Sequence, residues 1–468
     1  MGYDLAVVGS GPGGCAAALT AARRGLQVCL IEREEWGGVC LNVGCIPTKA
    51  LVTVAQFVRR LQQARQLGVV LAGYTLDYPA VIARTARIVA TLRRGLTELL
   101  QREGVELIQG SAAFEHPTRL LVTAAHATRV VDAARIVLAT GARPSAGPWT
   151  FDEQRVVSYR GLLALPSLPQ SLLIIGGGVI GCEFASCLAA FGTTITIVEQ
   201  EPSLLPGEDP DAVRWLTRRL EQEGVTLLTG RTVQRLEASA SWVEARLSDG
   251  TPLVAERCLI AVGQHPTIEG LRLSQASMAF ARGVTVDPFL RTSQPHIAAI
   301  GDCLDGHGLA HWAGAEGGAA VRNLLGDPPE SIDASEVPRC VFTEPEIAQV
   351  GMRAAEGDDG LRVSRFSFGA LGKSHCDDAT EGFVKLVVDR ATERIRGATI
   401  VGDHASSLIH AAGLAIRHGL TAKQLARTIT AHPTLPEGLT EAAAHFYGQS
   451  LVLASGSRSS VQRSAFSG

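Results

Sequence analysis

The chain has 468 residues, 43 basic against 46 acidic, and a formal net charge of −3. With no long run of either sign, the composition proposes neither a nucleic acid nor an anionic membrane as partner. The length is that of about three domains, and ten cysteines in so long a chain are no disulfide scaffold. Met1-Gly2-Tyr3-Asp4-Leu5 lacks the regions of a signal peptide, and no uninterrupted apolar run reaches the ~18 residues that span a bilayer. A cytoplasmic location is expected.

Asp4-Leu5-Ala6-Val7-Val8 reads as a buried strand. It is followed by Gly9-Ser10-Gly11-Pro12-Gly13-Gly14 and an alanine-rich helix to about Arg24, then by a second strand from Gln27 to Ile31 that ends at Glu32. This is a dinucleotide fingerprint: Gly9 allows the tight turn, Gly11 lets backbone reach a pyrophosphate, Gly14 permits close helix–strand packing, and Glu32 can accept ribose hydroxyls. Strand, helix and acid in place make it stronger than a bare glycine pattern.

Next comes Gly37-Gly38-Val39-Cys40-Leu41-Asn42-Val43-Gly44-Cys45-Ile46-Pro47-Thr48-Lys49. Plant-type iron–sulfur ligation needs a further cysteine with two residues between it and the pair, and Ile46, Pro47 and Thr48 follow instead. Zinc needs a second Cys/His cluster at ligand spacing, and none is evident. A structural staple would close a very short loop, which constrains the unfolded chain least. The glycines let backbone pass close to a flat ligand, and Pro47 sits where a helix can start, beside which a thiol pKa falls. A redox-active pair beside a bound dinucleotide is the reading that remains.

The fingerprint then repeats. Leu172 to Ile175 leads into Gly176-Gly177-Gly178-Val179-Ile180-Gly181, a helix through Ala190, a strand from Thr194 to Val198, and Glu199. The first glycine and the acid are 23 positions apart in both copies. Two dinucleotide sites on one chain imply that two dinucleotides exchange electrons. At the second, Glu199 would bond a free 2′-hydroxyl and repel a 2′-phosphate, and no arginine follows before Arg214, which favours NAD over NADP. Thr140-Gly141-Ala142-Arg143-Pro144 and Gly263-Gln264-His265-Pro266 are turn-rich breaks that bracket this copy.

These motifs, with Gly181-Cys182-Glu183, Ala299-Ile300-Gly301-Asp302, Thr343-Glu344-Pro345-Glu346 and His432-Pro433-Thr434-Leu435-Pro436-Glu437, stand in one order to about residue 450. In this the chain resembles the flavoprotein disulfide reductases, and within them the dihydrolipoamide dehydrogenases. The resemblance implies an α/β fold with two Rossmann-like domains and a C-terminal α+β dimerisation domain. FAD would sit on residues 1–145 and 268–335, NAD on 146–267, and the interface on 336–454; a serine-rich flexible tail, 455–468, would follow. Thr140, Gly141 and Asp302 resemble further FAD contacts, with Ala112, Leu309, Ala310 and His311 beside them, and Gly263 belongs to the NAD side.

The implied chemistry is oxidation of protein-bound dihydrolipoamide through a Cys40–Cys45 disulfide, electrons passing by way of FAD to NAD+. His432 would be the base and Glu437 the carboxylate that orients it, reaching the other subunit of a homodimer. Lys49 and Glu183 match an ion pair near the flavin. Three positions depart from the pattern: Thr430 and Ser407 on the substrate side, and Gln264 where an arginine is usual near NAD. A reductase of another disulfide, or a flavoprotein that merely senses redox state, are the alternatives. The lipoyl-bearing partner is not identified by any charged stripe.

Overall fold

A computed structural model describes residues 2–125, 127–306, 308–354 and 359–453. The expected serine-rich tail, 455–468, lies outside the described residues. The chain forms two compact units, one joining the chain up to Gln200 with Arg231–Ile332, the other joining Glu201–Gly230 with the chain from Asp333 onward.

The first unit holds both fingerprints. Leu5–Val8 is the middle of a five-stranded sheet, flanked by Val28–Glu32 and Glu106–Gln109 on one side and by Ile136–Leu138 and Ile297–Ala299 on the other. Every pairing is parallel. Parallel strands covered on both faces must be apolar throughout, which is why Leu5 to Val8 and Val28 to Ile31 show no alternation. Helix Pro12–Ala22 packs on helix Ala310–Leu325 through small residues, and a Cβ on Gly317 would stand 2.3 Å from the Gly13 carbonyl oxygen. The second copy repeats the plan, with Ser171–Ile175 parallel to Thr194–Glu199 and to Arg257–Ile260.

Local boundaries differ from expectation at three points. The first helix ends at Ala22, two residues short of Arg24. The cysteine-bearing helix begins at Cys45 itself, after Gly44, and runs to Gln63. The two breaks at 140–144 and 263–266 are not free turns, since Ala142–Pro144 and Gln264–Pro266 zip into an antiparallel ribbon. Gly38–Gln63 is long and apolar enough to cross a membrane by composition, with a mean hydropathy of 1.5. Lys49 and the change of backbone direction at Gly44 interrupt it, and Leu51, Ala55 and Val58 are buried in the protein.

The second unit is built on a five-stranded antiparallel sheet in the order Arg339–Val341, Ile347–Gly351, Ile395–Val401, Phe383–Asp389, Leu361–Ser367. One face buries Phe366, Val384, Leu386, Ala398 and Ile400 against helices Ala405–Arg417 and Glu437–His445. The period of two puts the opposite set on the other face, where Arg339, Gln349, Thr399, Lys385 and Arg365 form one cross-strand row. Glu208, Asp209 and Asp211 lie on this row. Lys385 Nζ is 2.8 Å from Asp209 Oδ2 and 3.3 Å from Asp211 Oδ2, Arg339 reaches Glu208 at 3.5 Å, and Arg365 pairs with Asp211. Lys385 and Asp209 are 3% and 1% exposed, so this is a buried charge cluster. Asp209 also caps helix Pro210–Gln222 by accepting from Asp211 N.

Candidate active site

At the first phosphate loop Gly9 has φ +101°, and a Cβ there would lie 2.3 Å from the Ala139 carbonyl oxygen, so no other residue fits. A Cβ on Gly14 would be 1.8 Å from the Gly9 carbonyl oxygen, which is the helix–strand approach the spacing requires. Gly11 faces open space, with nothing within 4 Å of an added Cβ. The second loop reproduces each relation: Gly176 at φ +107°, Gly181 2.1 Å from the Gly176 carbonyl oxygen, and Gly178 open. Both loops thus present bare backbone at a helix N-terminus, as a pyrophosphate needs.

The acids are held by the loops they serve. Glu32 accepts from Ser10 N at 2.8 Å and Ser10 Oγ at 2.7 Å, and Glu199 accepts from Gly177 N at 2.6 Å. Glu32 also accepts from Glu34 N at 2.8 Å, and as an ionised carboxylate accepts about four hydrogen bonds it keeps room for a ribose hydroxyl.

The cysteine segment abuts the first loop. Gly37 N donates to Ser10 Oγ at 3.0 Å, and a Cβ on Gly38 would lie 2.7 Å from Gly11 Cα. Ser10, fully buried, was no candidate in the sequence, where it is merely the residue between two glycines. It ties phosphate loop, ribose acid and cysteine loop together. Cys40 and Cys45 are free thiols joined by a side-chain hydrogen bond. That bond, then Lys49 and the helix N-terminus, lowers the Cys45 thiol to about 7 despite its burial. The same bond, together with burial, pushes the Cys40 thiol up. Lys49, one turn further on, places Nζ 2.7 Å from Glu183 Oε2, and Glu183 sits on helix Val179–Ala190 of the second fingerprint. The structure therefore brings the cysteines, Lys49 and Glu183 together with both loops.

Other candidate residues are placed as follows. Thr140 Oγ1 donates to the Thr267 carbonyl oxygen at 2.6 Å, so its hydroxyl proton is committed within the protein. Gly141, at φ +66°, and Gly263, at φ +114°, both border open space. Asp302 accepts from Gly308 N at 3.1 Å. Leu309 caps the helix that begins at Ala310 and His311, and Ala112 lies in strand Ser111–His116 opposite Val122. Glu316 on that helix, absent from the sequence reading, accepts from Gly301 N at 2.6 Å, and burial raises its carboxyl pKa. Among the described residues no group of three His, Cys, Asp or Glu side chains is placed to hold a metal ion.

In the second unit, His432 Nδ1 lies 2.9 Å from Glu437 Oε2, and Thr434 N donates to Glu437 Oε1 at 2.6 Å. Glu437 opens helix Glu437–His445, where the helix dipole favours a carboxylate. Burial works against its charge, but the His432 and Thr434 bonds outweigh it and hold the carboxyl below the ordinary range. An ionised carboxylate only accepts, so Nδ1 carries the proton and Nε2 is left as a base. His432 is well exposed, as a group that meets a ligand must be. Thr430, two places before it, lies within 3.4 Å of Thr440 Oγ1.

Residues 3–317 match the pyridine nucleotide-disulphide oxidoreductase family, and residues 337–443 match that family's dimerisation domain. The chain belongs to the pyridine nucleotide-disulphide oxidoreductases. Like other members of this family it is a flavoprotein oxidoreductase that uses FAD and a nicotinamide dinucleotide at a disulfide centre, and its dimerisation domain is that of a homodimer. It is 38% identical over 451 residues to the dihydrolipoyl dehydrogenase of Chlorobaculum tepidum, covering 94% of this chain and 96% of that protein. To a dihydrolipoyl dehydrogenase of Bacillus subtilis it is 35% identical over 450 residues, covering 94% and 97%. Among solved structures, LpdA from Mycobacterium tuberculosis aligns with a TM-score of 0.90 at 29% identity, over 94% of this chain and 99% of that one. The HOCl-induced flavoprotein disulfide reductase RclA from Escherichia coli aligns at 0.85 and 30% identity, over 94% and 99%.

Proposed function

We propose that this oxidoreductase oxidises protein-bound dihydrolipoamide to lipoamide and reduces NAD+, acting in the cytoplasm as a homodimer with a lipoyl-bearing carrier protein as substrate. The observation that carries the reading is the Cys40/Cys45 pair set against the first phosphate loop, with Lys49 and Glu183 linking it to the second. The names of the relatives support the dithiol as substrate, and Glu199 supports NAD over NADP.

His432 Nε2 takes the proton of one substrate thiol. The resulting thiolate attacks Cys40 Sγ of the oxidised pair, forming a mixed disulfide and breaking the Cys40–Cys45 bond. Cys45 leaves as the thiolate that Lys49 and the helix N-terminus favour, since a low-pKa thiol leaves faster. The second substrate thiol then attacks the substrate sulfur of the mixed disulfide, which closes the lipoamide ring, breaks the bond to Cys40 and passes its proton to the departing Cys40 sulfur. Two electrons now rest on the cysteine pair, as a Cys40 thiol and a Cys45 thiolate, and the other substrate proton is on His432. Bound FAD supplies the two-electron link between that pair and NAD+. The open backbone at Gly11 and Gly178, with Glu32 and Glu199 beside them, would hold the two dinucleotides. In this reading His432 serves the disulfide of the partner subunit, which makes the dimer obligatory for activity.

The test is reduction of NAD+ by the purified protein supplied with dihydrolipoamide, with NADP+ run in parallel. Turnover with NAD+ alone is the expected result. A yellow protein whose flavin NADH reduces, but which leaves the dithiol untouched, would refute the substrate and point to Thr430 and Ser407 as marks of a different disulfide.

A further inference from the structure

The helix that begins at Cys45 is tied to the second-fingerprint helix at a second point. Arg59 Nη2 donates to the Ser186 carbonyl oxygen at 2.6 Å and to Ser186 Oγ at 3.1 Å. Both residues are buried, at 7% and 2% exposure. A guanidinium keeps its charge at any working pH and presents its donors in a fixed fork, so such a link has direction as well as strength. The mechanism above gives Arg59 no role.

The geometry distinguishes this link from ordinary packing. Lys49 and Arg59 are ten residues apart, about 15 Å along their helix, whereas Glu183 and Ser186 are three apart, about 4.5 Å. Val52 and Ala55 are buried between the two attachment points. One link between two helices fixes a separation, and two links spaced so unequally fix the direction of one helix against the other. Cys45 is the first residue of the helix so directed, and the groups that act on its thiol are Cys40, Lys49 and Glu183.

We propose that Arg59 is a positioning residue of the redox centre: by gripping Ser186 it aims the cysteine helix, and so sets where Cys45 stands relative to Lys49, Glu183 and the second fingerprint. The inference rests on the proposed function, in which Cys45 is the cysteine that leaves as a thiolate. It adds that this thiol's setting depends on a contact about 20 Å along the helix from it.

The experiment uses the holoenzyme reduced anaerobically, with the pH dependence of Cys45 alkylation and the thermal midpoint measured side by side. Arg59→Met keeps most of the buried stem and removes the donors. It should move the alkylation midpoint up by roughly half a unit, about a threefold lower thiolate fraction on the acid side. Arg59→Lys, retaining charge and one donor head, should recover part of the shift. Ser186→Ala, which keeps the carbonyl acceptor, should show a smaller shift than Arg59→Met. An unchanged midpoint in Arg59→Met and Ser186→Ala, with a lowered thermal midpoint, would make the contact merely structural and overturn the proposal. Dithiol turnover by the unsubstituted protein tests the functional reading separately, so the two failures are distinguishable.

Discussion

Glu437→Gln isolates what the carboxylate does for His432. The substitution keeps shape but leaves one acceptor oxygen and no charge, so with that oxygen turned to His432 the 2.9 Å contact becomes a neutral hydrogen bond while the Thr434 N–H, now at 2.6 Å from its acceptor, loses it. A bond to a charged group contributes about 1.5–3 kcal/mol and a neutral one about 0.5–1.5 kcal/mol. His432 is 78% exposed, which places its bond at the low end through solvent screening. The difference is then about 1–1.4 kcal/mol, close to tenfold in rate. The loss falls on proton removal from the dithiol and on no later step. Rapid mixing separates the half-reactions: reduction of the oxidised protein by dihydrolipoamide should slow about tenfold, while reduction of its flavin by NADH should keep its rate. Equal slowing of both, or of neither, would refute the assignment of Glu437 as the partner of the base.

Cys45→Ser should abolish dithiol turnover and the thiolate–flavin absorbance of the reduced protein together, while FAD stays bound; retained absorbance would assign the flavin-facing thiol to Cys40. In the reduced protein, alkylation of Cys45 should rise as pH climbs through about 7, well below the ordinary thiol value of 9.0, while Cys40 lags because its thiol is pushed upward. Mass spectrometry of protein alkylated at a series of pH values checks the order. Lys385→Ala should destabilise the second unit by about 3–5 kcal/mol, because Asp209 is left buried with its charge unmatched. Calorimetry should show that transition about 6–20 °C lower, and adding Asp209→Asn to the same chain should recover part of it.

Both nucleotide loops were legible because their demands are local: a left-handed turn at Gly9 and Gly176, a helix pressed on it at Gly14 and Gly181, and an acid at the end of the next strand. The α/β fold followed from the same pattern of strand, loop, helix and strand. The Lys49–Glu183 contact spans 134 positions, yet it was readable because each partner sits in a recognisable motif. Ser10 had no such signal, since its work is done by hydrogen bonds to residues 22 and 27 positions away. Arg59 was hidden similarly: on its own helix it is one arginine beside another, Arg60, and only the arrival of Ser186, 127 positions on, distinguishes it. The start of the helix at Cys45 was missed because Pro47 suits a first turn, not only a first position. Lys385 reads as a lone cation in an apolar strand until register sets it opposite Thr399 and Arg365.

That cross-strand row has a consequence for how such proteins can be recombined. The stretch from 146 to 267, which begins and ends near the paired ribbon at 142–144 and 264–266, looks in sequence like a cassette that could be exchanged for one of different nucleotide choice. Its middle, Glu201–Gly230, nevertheless belongs to the second unit, where Glu208, Asp209 and Asp211 answer Arg339, Lys385 and Arg365. A foreign insert without those three acids would strand Lys385 in the interior however well it bound its nucleotide. Chimaeras should therefore be cut so that Glu201–Gly230 stays with its own sheet, or carry the matching cations along; the two segments form one inheritable part although more than a hundred residues separate them.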